Sequence, residues 1–166
     1  LQAMLRRPGR DAARNRKADV MRLFIAIELP AYIRDALARI QTGVPGAKWV
    51  DPDNMHLTLR FLGETDGGQA EDLAYELNRI DRLSFEIGLA GAGQFSGGGG
   101  VKTLWMGVAP EEPLIDLQAK VERACRRSGF APERRSFRPH ITLARFNGPA
   151  DTDRVRRFLE RYGRFE

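Results

Sequence analysis

The chain has 166 residues, about the size of one domain, and 42% of them are hydrophobic, which is enough for a packed core. No apolar run approaches the roughly 18 residues that a membrane-spanning helix needs, so no membrane segment is predicted. Cys125 is the only cysteine, which excludes an intrachain disulfide and a thiolate metal cluster and favours a reducing, cytoplasmic location.

The net charge of +5 is concentrated at the N-terminus. Residues 1–20 contain six basic and two acidic residues, whereas 21–166 contain 21 basic and 20 acidic residues. We therefore predict that 1–20 is a disordered, solvated basic tail and that 21–166 is one folded domain. The charge alone gives little reason to expect that the folded part binds nucleic acid.

Strands and helices are predicted along 21–166 in the order strand, helix, strand, helix, strand, strand, helix, strand, helix, so that hairpin-type strands are mixed with helices. Apolar residues alternate as in strands at 21–29, 56–62, 83–91, 101–109 and 137–146, and recur at helical spacing at 31–41, 69–80, 112–130 and 151–163. This order predicts an α+β fold that is bilobal and pseudo-symmetric, with largely antiparallel sheets, helices packed outside and a central cleft. The closing residues GRFE resemble the start of another strand, so we expect a domain truncated at its C-terminus.

Two segments of the chain are nearly the same: MHLTLRFLG at 55–63 and PHITLARFNG at 139–148. They contain the only two histidines, His56 and His140, and each histidine is followed by Thr two residues later and Leu three residues later. Chance recurrence of both matches is on the order of one in ten thousand from ordinary residue usage. A single histidine beside a strand is usually structural, but the repeated pair indicates a shared chemical role.

Strand alternation predicts which side chains of the first copy share a face. His56, Thr58 and Arg60 are expected on one face, while Leu57 and Phe61 point into the core with the other apolar residues.

The second copy is predicted to place His140 and Thr142 on its polar face. Arg145 has the wrong parity for that face, and can join it only if the strand ends or bulges near Ala144.

Two imidazoles and two hydroxyls facing one another suit displacement at a phosphodiester. One imidazole can act as general base and the other as general acid near neutral pH. Threonine hydroxyls donate to phosphate oxygens, and arginine neutralises developing charge. A zinc site that combines the histidines with Asp51 or Asp53 is the less favoured alternative, because threonine at this spacing has no role as a zinc ligand.

Other features near these strands are less specific. The loop GGGGVKT at 97–103 lacks the phosphate-loop pattern and is interpreted as a flexible loop at the edge of the site. Phe95 and Trp105 could stack on a base, although buried packing is favoured for Trp105. A run of arginines before His140 could bind phosphate or form a solvated surface.

The two motifs resemble the paired His-x-Thr-x motifs of the two-histidine phosphoesterase superfamily. The chain is most similar to the RNA 2′,3′-cyclic phosphodiesterases, also called 2′-5′ RNA ligases, in the stretches MRLFIAIELP, WVDPDNMHLTLRFLGE, LWMGV and FRPHITLARF. These span most of 21–146. Relatives usually carry proline and basic residues where this chain has SGGGG, and they continue with further strands after the last helix.

The resemblance implies hydrolysis of RNA 2′,3′-cyclic phosphate ends to 2′-phosphates, with reverse 2′-5′ joining of RNA ends and without a metal or cofactor. By motif position it implies that His56 is the proton donor and His140 the proton acceptor. Thr58, Thr142 and Arg145 would bind the phosphate. The implied partner is RNA with a cyclic phosphate end, and we expect a monomer.

Two alternatives stay open at this stage. The enzyme could act on 2′-5′ oligonucleotides or on another small cyclic phosphate. The chain could also be a non-catalytic module that binds RNA ends, although matched imidazoles are not needed for binding alone.

Overall fold

The computed structural model describes residues 2–6 as backbone, and residues 20–81 and 84–165 with their side chains. The strands are β1 (Gln2–Arg6), β2 (Met21–Glu28), β3 (Lys48–Trp49), β4 (His56–Thr65), β5 (Gly88–Gly97), β6 (Gly100–Ala109) and β7 (His140–Arg145). The helices are α1 (Ala31–Arg39), α2 (Gly67–Asn78), α3 (Glu112–Arg127) and α4 (Thr152–Tyr162), with a 3₁₀ turn at Pro52–Asn54. The predicted α+β class is confirmed.

The chain divides into two compact units, in agreement with the predicted bilobal organisation. The first unit consists of Leu1–Ile27, Thr58–Phe85 and Glu112–Arg138, and the second of Glu28–Leu57, Glu86–Glu111 and Pro139–Glu166. Each unit is therefore assembled from three separate segments of sequence. The boundary passes through β4, between Leu57 and Thr58.

The first unit contains neighbouring strands in the order β1, β2, β4, together with α2 and α3, which contact each other. The side chain of Asp66 accepts a hydrogen bond from the Gln69 N–H and so caps the N-terminus of α2. The fully or nearly fully buried apolar side chains of this unit are Leu23, Ile25, Ala26, Leu59, Leu73, Leu77, Leu114, Leu117, Val121, Ala124 and Cys125. They come from the strands and from the inner faces of both helices.

β1 lies inside the segment that the sequence predicts to be a disordered tail. It pairs antiparallel with β2, from Gln2↔Ala26 to Arg6↔Arg22. Backbone hydrogen bonds along the edge of β2 do not depend on the polar side chains of this segment, which is why composition does not reveal the strand. Apart from Val20, the remainder of 1–20 lies outside the described residues, so the prediction of disorder stays a prediction there.

β7 is the central strand of the second unit. It pairs antiparallel with β6 on one side, and on the other with β3 and with the first residues of β4. β5 pairs with β6 and completes this part of the sheet. α4 begins at the Asp151 cap, which accepts from the Arg154 N–H, and its Phe158 ring packs against Trp49 with ring centroids 5.8 Å apart.

The glycine-rich segment forms a β-hairpin, so two predictions there are wrong. The strand predicted at 83–91 is β5 at Gly88–Gly97, with 84–87 outside regular structure and 82–83 outside the described residues. The loop predicted at 97–103 is a two-residue turn, because Gly97 already pairs with Gly100. Gly98 and Gly99 both have positive φ, 58° and 90°, as this kind of hairpin turn requires.

None of the helices within the described ranges is long and apolar enough to cross a membrane. The cytoplasmic location and the monomeric state stay predictions.

Candidate active site

The first His-Thr strand presents His56 and Thr58 on one face, as predicted. Leu57 and Leu59 are buried, at 0% and 3% exposure, while His56 and Thr58 between them are partly exposed. His56 belongs to the second unit, and Thr58 is the first residue of the segment that continues into the first unit. Along the strand they are separated by two residues, or roughly 7 Å.

Beyond Thr58 the alternation stops, and the prediction for Arg60 and Phe61 is wrong. Arg60 is buried at 9% exposure directly after buried Leu59, whereas Phe61 is 55% exposed. The Arg60 guanidinium lies 2.8 Å from Glu122 and 3.2 Å from Glu133, and it donates to the Ala131 carbonyl at 2.6 Å. These partners are far away in the sequence, so the pattern of β4 alone gives no sign that Arg60 is turned away from the polar face.

The second strand contains the bulge that Arg145 needs to reach the polar face. Leu104 of β6 pairs with Ala144, but the next residue, Trp105, pairs with Thr142. Leu143 is therefore the extra residue, and Leu143 and Ala144 are both fully buried. This change of parity turns the exposed Arg145 toward the face that carries Thr142.

The register with β6 also shows which side chains of β7 share a face. His140, Thr142 and Arg145 pair with Gly107, Trp105 and Thr103 respectively. These three partners follow one another at intervals of two residues, so they share one face of β6, and directly paired residues share a face of the sheet. The three predicted site residues of the second motif therefore lie side by side on one face.

Gln41 holds the bulge in place. Its side-chain amide donates to the carbonyls of Leu143, at 3.2 Å, and Val50, at 2.7 Å, and the Val50 N–H also donates to the Leu143 carbonyl at 2.8 Å. The carbonyl of the bulged residue is thus satisfied although it lies outside the regular ladder. No sequence motif marks Gln41, which precedes the bulge by about a hundred residues.

The two histidine strands are neighbours through the pair Leu57↔Ile141, both of which are buried. In an antiparallel pair, the residue before Leu57 runs beside the residue after Ile141, so His56 lies beside Thr142 on the opposite face. His140 is then the diagonal neighbour of His56, a relation that places the two residues roughly 7–8 Å apart, with their Cβ atoms somewhat closer. The two imidazoles are therefore carried by adjacent strands on the same face of the sheet.

Two aromatic rings confine the His140 imidazole. Phe95 meets it edge to face with ring centroids 4.9 Å apart, and Trp105 lies 6.2 Å from it. Phe95 and Trp105 also contact each other at 5.3 Å. Trp105 lies flat over β5, since the place of a Cβ atom on Gly93 is taken by its ring. These contacts limit rotation of the imidazole. Both rings are partly exposed, so base stacking by Phe95 and buried packing of Trp105 stay predictions.

Two titratable groups of the first unit have pKa values displaced from their ordinary ranges. Burial raises the pKa of the Cys125 thiol to about 11, so this cysteine is protonated at neutral pH, in line with a structural role. Hydrogen bonds from the backbone N–H groups of Arg135 and Arg134, with the charge of Arg60, lower the pKa of Glu133 below 4.5. Glu133 therefore stays ionised against Arg60 and fixes the chain around residues 133–135.

Chemically, the second unit offers acid–base groups and anion donors. His56 and His140 can accept or donate a proton, the Thr142 hydroxyl can donate to an anionic oxygen, and Arg145 supplies positive charge. Among the residues that the structure describes, no group of three or more His, Cys, Asp or Glu side chains is placed to hold a metal ion.

Known proteins are similar to this chain in sequence and in fold. The model of the 2′-5′ RNA ligase superfamily matches residues 29–164, so the chain belongs to that superfamily. The RNA 2′,3′-cyclic phosphodiesterase of Methanothermobacter thermautotrophicus is 33% identical over 148 residues, which cover 81% of this chain and 76% of the relative. The Escherichia coli protein of the same name is 36% identical over 132 residues, which cover 77% and 73%.

Solved structures of other proteins are also similar to this chain. E. coli LigT complexed with 3′-AMP has a TM-score of 0.67 at 35% identity, with 76% of this chain and 74% of that chain covered. TT0787 of Thermus thermophilus has a TM-score of 0.70 at 33% identity, with 78% and 76% covered. The predictions of this family and of an enzyme of the cyclic phosphodiesterase class are confirmed.

Proposed function

We propose that this chain hydrolyses the 2′,3′-cyclic phosphate at the 3′ end of an RNA to a 2′-phosphate, without a metal ion. The observation that carries the proposal is the match between the two motif strands. Each has the same sequence of partly exposed, buried, partly exposed, buried, buried and exposed residues from its histidine onward. Relatives named RNA 2′,3′-cyclic phosphodiesterase support RNA as the substrate.

In the proposed reaction, His140 accepts a proton from a water molecule whose oxygen attacks the phosphorus. The bond between phosphorus and the 3′ oxygen breaks, and His56 donates a proton to that leaving oxygen. One water is consumed, and the two histidines regain their starting protonation states by proton exchange with solvent. The assignment of donor and acceptor follows the family resemblance, since two imidazoles are interchangeable by residue type.

The remaining polar groups stabilise the phosphate. Thr58 and Thr142 donate their hydroxyls to the non-bridging oxygens, and Arg145 neutralises the charge that grows on them in the transition state. Attack by a 5′-hydroxyl in place of water would break the same bond to the 3′ oxygen and join two RNA ends through a 2′-5′ linkage. The same side chains would serve either nucleophile.

Phosphorus NMR of a nucleoside 2′,3′-cyclic phosphate, incubated with the protein and excess chelator, tests the proposal. We expect a 2′-phosphate product with the wild-type chain, and a loss of at least about 10²-fold in rate with either His56→Ala or His140→Ala. Thr142→Val should lower the rate with both histidines intact. Thr42→Val, at an exposed loop position, is the matched control and should retain the wild-type rate.

Three outcomes would contradict the proposal in different ways. A 3′-phosphate product would still show hydrolysis of the cyclic phosphate, but with the 2′ oxygen as the leaving group in place of the 3′ oxygen. Activity that disappears with chelator and returns with a divalent cation would reject the metal-free mechanism. Binding of the cyclic end without turnover by a folded protein would favour the non-catalytic RNA-end module.

A further inference from the structure

Two aromatic rings form an exposed pair on the first unit. Phe61 is 55% exposed, and the Phe24 ring lies beside it with centroids 6.2 Å apart and planes inclined at 45°. We call Phe24 and Phe61 the aromatic pair. Burying a phenylalanine side chain normally stabilises a fold, so a phenylalanine left half outside on a β-strand is a candidate for a binding role.

The aromatic pair lies on the same face as Thr58. On β2, Leu23 and Ile25 are buried at 9% and 0% exposure, so alternation turns Phe24 to the other face. β2 and β4 are adjacent, and contact with Phe24 places Phe61 on that face too. Thr58 occupies the corresponding face of β4, opposite to buried Leu59.

The repeated motif explains how Phe61 reaches this position. Counted from each histidine, the fifth following residue is Phe61 in the first copy and Arg145 in the second. Both copies bury two residues in succession just before it, Leu59 with Arg60 and Leu143 with Ala144. Phe61 is therefore the counterpart of a residue that we place in the phosphate site.

We propose that the aromatic pair is a stacking platform for a nucleobase of the RNA substrate. The proposal rests on the function proposed above, and assigns a base-binding element to the strand that carries Thr58. Phe61 is three residues from Thr58, roughly 10 Å along an extended strand, which a base can span when its own or the adjacent phosphate is held at Thr58. Every base has a π-face, so the platform would tolerate different sequences.

A nucleotide fits this surface better than a protein partner. Two rings cover far less area than a stable protein interface requires. The other large, exposed apolar side chains that the structure describes in 20–81 and 84–165 are Val20, Tyr32, Tyr75 and Ile115, and the last three lie on helices. Exposed Arg22 lies two residues before Phe24 on the same side of β2, which favours an anionic partner.

The test compares substrates with and without a base. Rates are measured for ribose 2′,3′-cyclic phosphate, a nucleoside 2′,3′-cyclic phosphate and a dinucleotide with a 2′,3′-cyclic phosphate end. Phe61→Leu should lower kcat/KM for the base-containing substrates by about five- to 150-fold, the range expected for base–aromatic stacking, and leave the ribose substrate unchanged. Phe61→Trp should retain the wild-type rates.

Tyr75→Leu removes another exposed aromatic ring of the same unit, 65% exposed on α2, and is the matched control. A loss with the mononucleotide assigns the platform to the terminal base, and a loss confined to the dinucleotide assigns it to the preceding base. An equal loss on the ribose substrate, or Phe61→Leu rates equal to those of Tyr75→Leu on every substrate, would overturn the inference. Absence of wild-type turnover on all three substrates would instead reject the proposed function.

Discussion

Gly93 is the residue on which the surroundings of His140 depend most directly. It pairs with Trp105, and a Cβ atom at position 93 would overlap the indole ring. Because Trp105 contacts both Phe95 and His140, displacement of the indole would be transmitted to the imidazole. Trp105 can therefore pack against Phe95 and His140 because Gly93 has no side chain.

Gly93→Ala should therefore lower both stability and turnover. We expect a loss of about 1–3 kcal/mol in the free energy of unfolding, the usual cost of overpacking, measured by urea denaturation. The hydrolysis rate should fall together with a change in tryptophan fluorescence. Gly97→Ala lies on the same strand with open space around its Cβ position and should change neither quantity. Equal stability of the two variants would show that Trp105 moves aside without cost.

At the scale of single residues, the histidines and threonines could be predicted because strand alternation and repetition are local properties. Arg60 could not, since Glu122 and Glu133 hold it from segments more than sixty residues away. Phe61 and Arg145 are both the fifth residue after their histidine, but this correspondence alone does not show that Phe61 is exposed.

Among the elements, the segment after α3 is held by one carboxylate. Glu133 accepts the N–H groups of Arg134 and Arg135 at 2.9 and 3.1 Å, and its other oxygen faces Arg60. Since these contacts lower its pKa in the folded state, Glu133 stabilises the fold fully above its unfolded pKa, near 4.5. That contribution is lost as the pH falls through the lower, folded-state value.

Glu133→Gln should consequently reduce stability in a pH-dependent way. At pH 7 we expect a loss of about 1.5 kcal/mol, near the lower end for hydrogen bonds to a charged group, because Glu133 is partly exposed. The difference from wild type should shrink as the pH is lowered below about 4.5, and urea unfolding across this range measures it. Glu111→Gln, at an exposed position, should show no such convergence. A pH-independent difference would mean that the charge of Glu133 is not involved.

Helices and strands could be predicted well where alternating or helically spaced apolar side chains indicate them. They could be predicted poorly in segments rich in glycine. β5 begins at Gly88 and includes Gly91, Gly93 and Gly97, which have no side chains to show alternation. Its pairing with β6 depends on the turn at Gly98 and Gly99 and on tertiary contacts. The bulge at Leu143 was foreseen only as a condition for Arg145, because Gln41, which supports it, is distant in sequence.

Across the whole molecule, most of the net positive charge and all the proposed catalytic side chains lie in different parts of the chain. Residues 1–20 carry a net +4 and residues 21–166 a net +1, whereas all the proposed catalytic side chains lie in the second part. We therefore expect that substitutions in 1–20 can weaken electrostatic binding of RNA without changing the hydrolysis of its cyclic phosphate end. The five residues of β1 are best left intact in any test, because they pair with β2.

Replacing Arg10, Arg14, Arg16 and Lys17 with Gln lowers the net charge from +5 to +1. We expect unchanged turnover of a cyclic mononucleotide and weaker binding of long single-stranded RNA at low salt. The slope of log affinity against log salt should decrease by roughly 0.7 for each cation that contacts a phosphate. Fluorescence anisotropy over a salt series measures this slope. A loss of mononucleotide turnover would contradict the separation.

The difference between Phe61 and Arg145 distinguishes two motifs that otherwise match in sequence and in burial. Histidine and threonine alone would make the two strands chemically equivalent, and a cyclic phosphate could then enter in either of two orientations. Under the proposed function, an apolar ring after one histidine and a cation after the other remove that equivalence. Divergence at one position of a repeated motif would thus decide which ester bond is cleaved, and so the regiochemistry of the product.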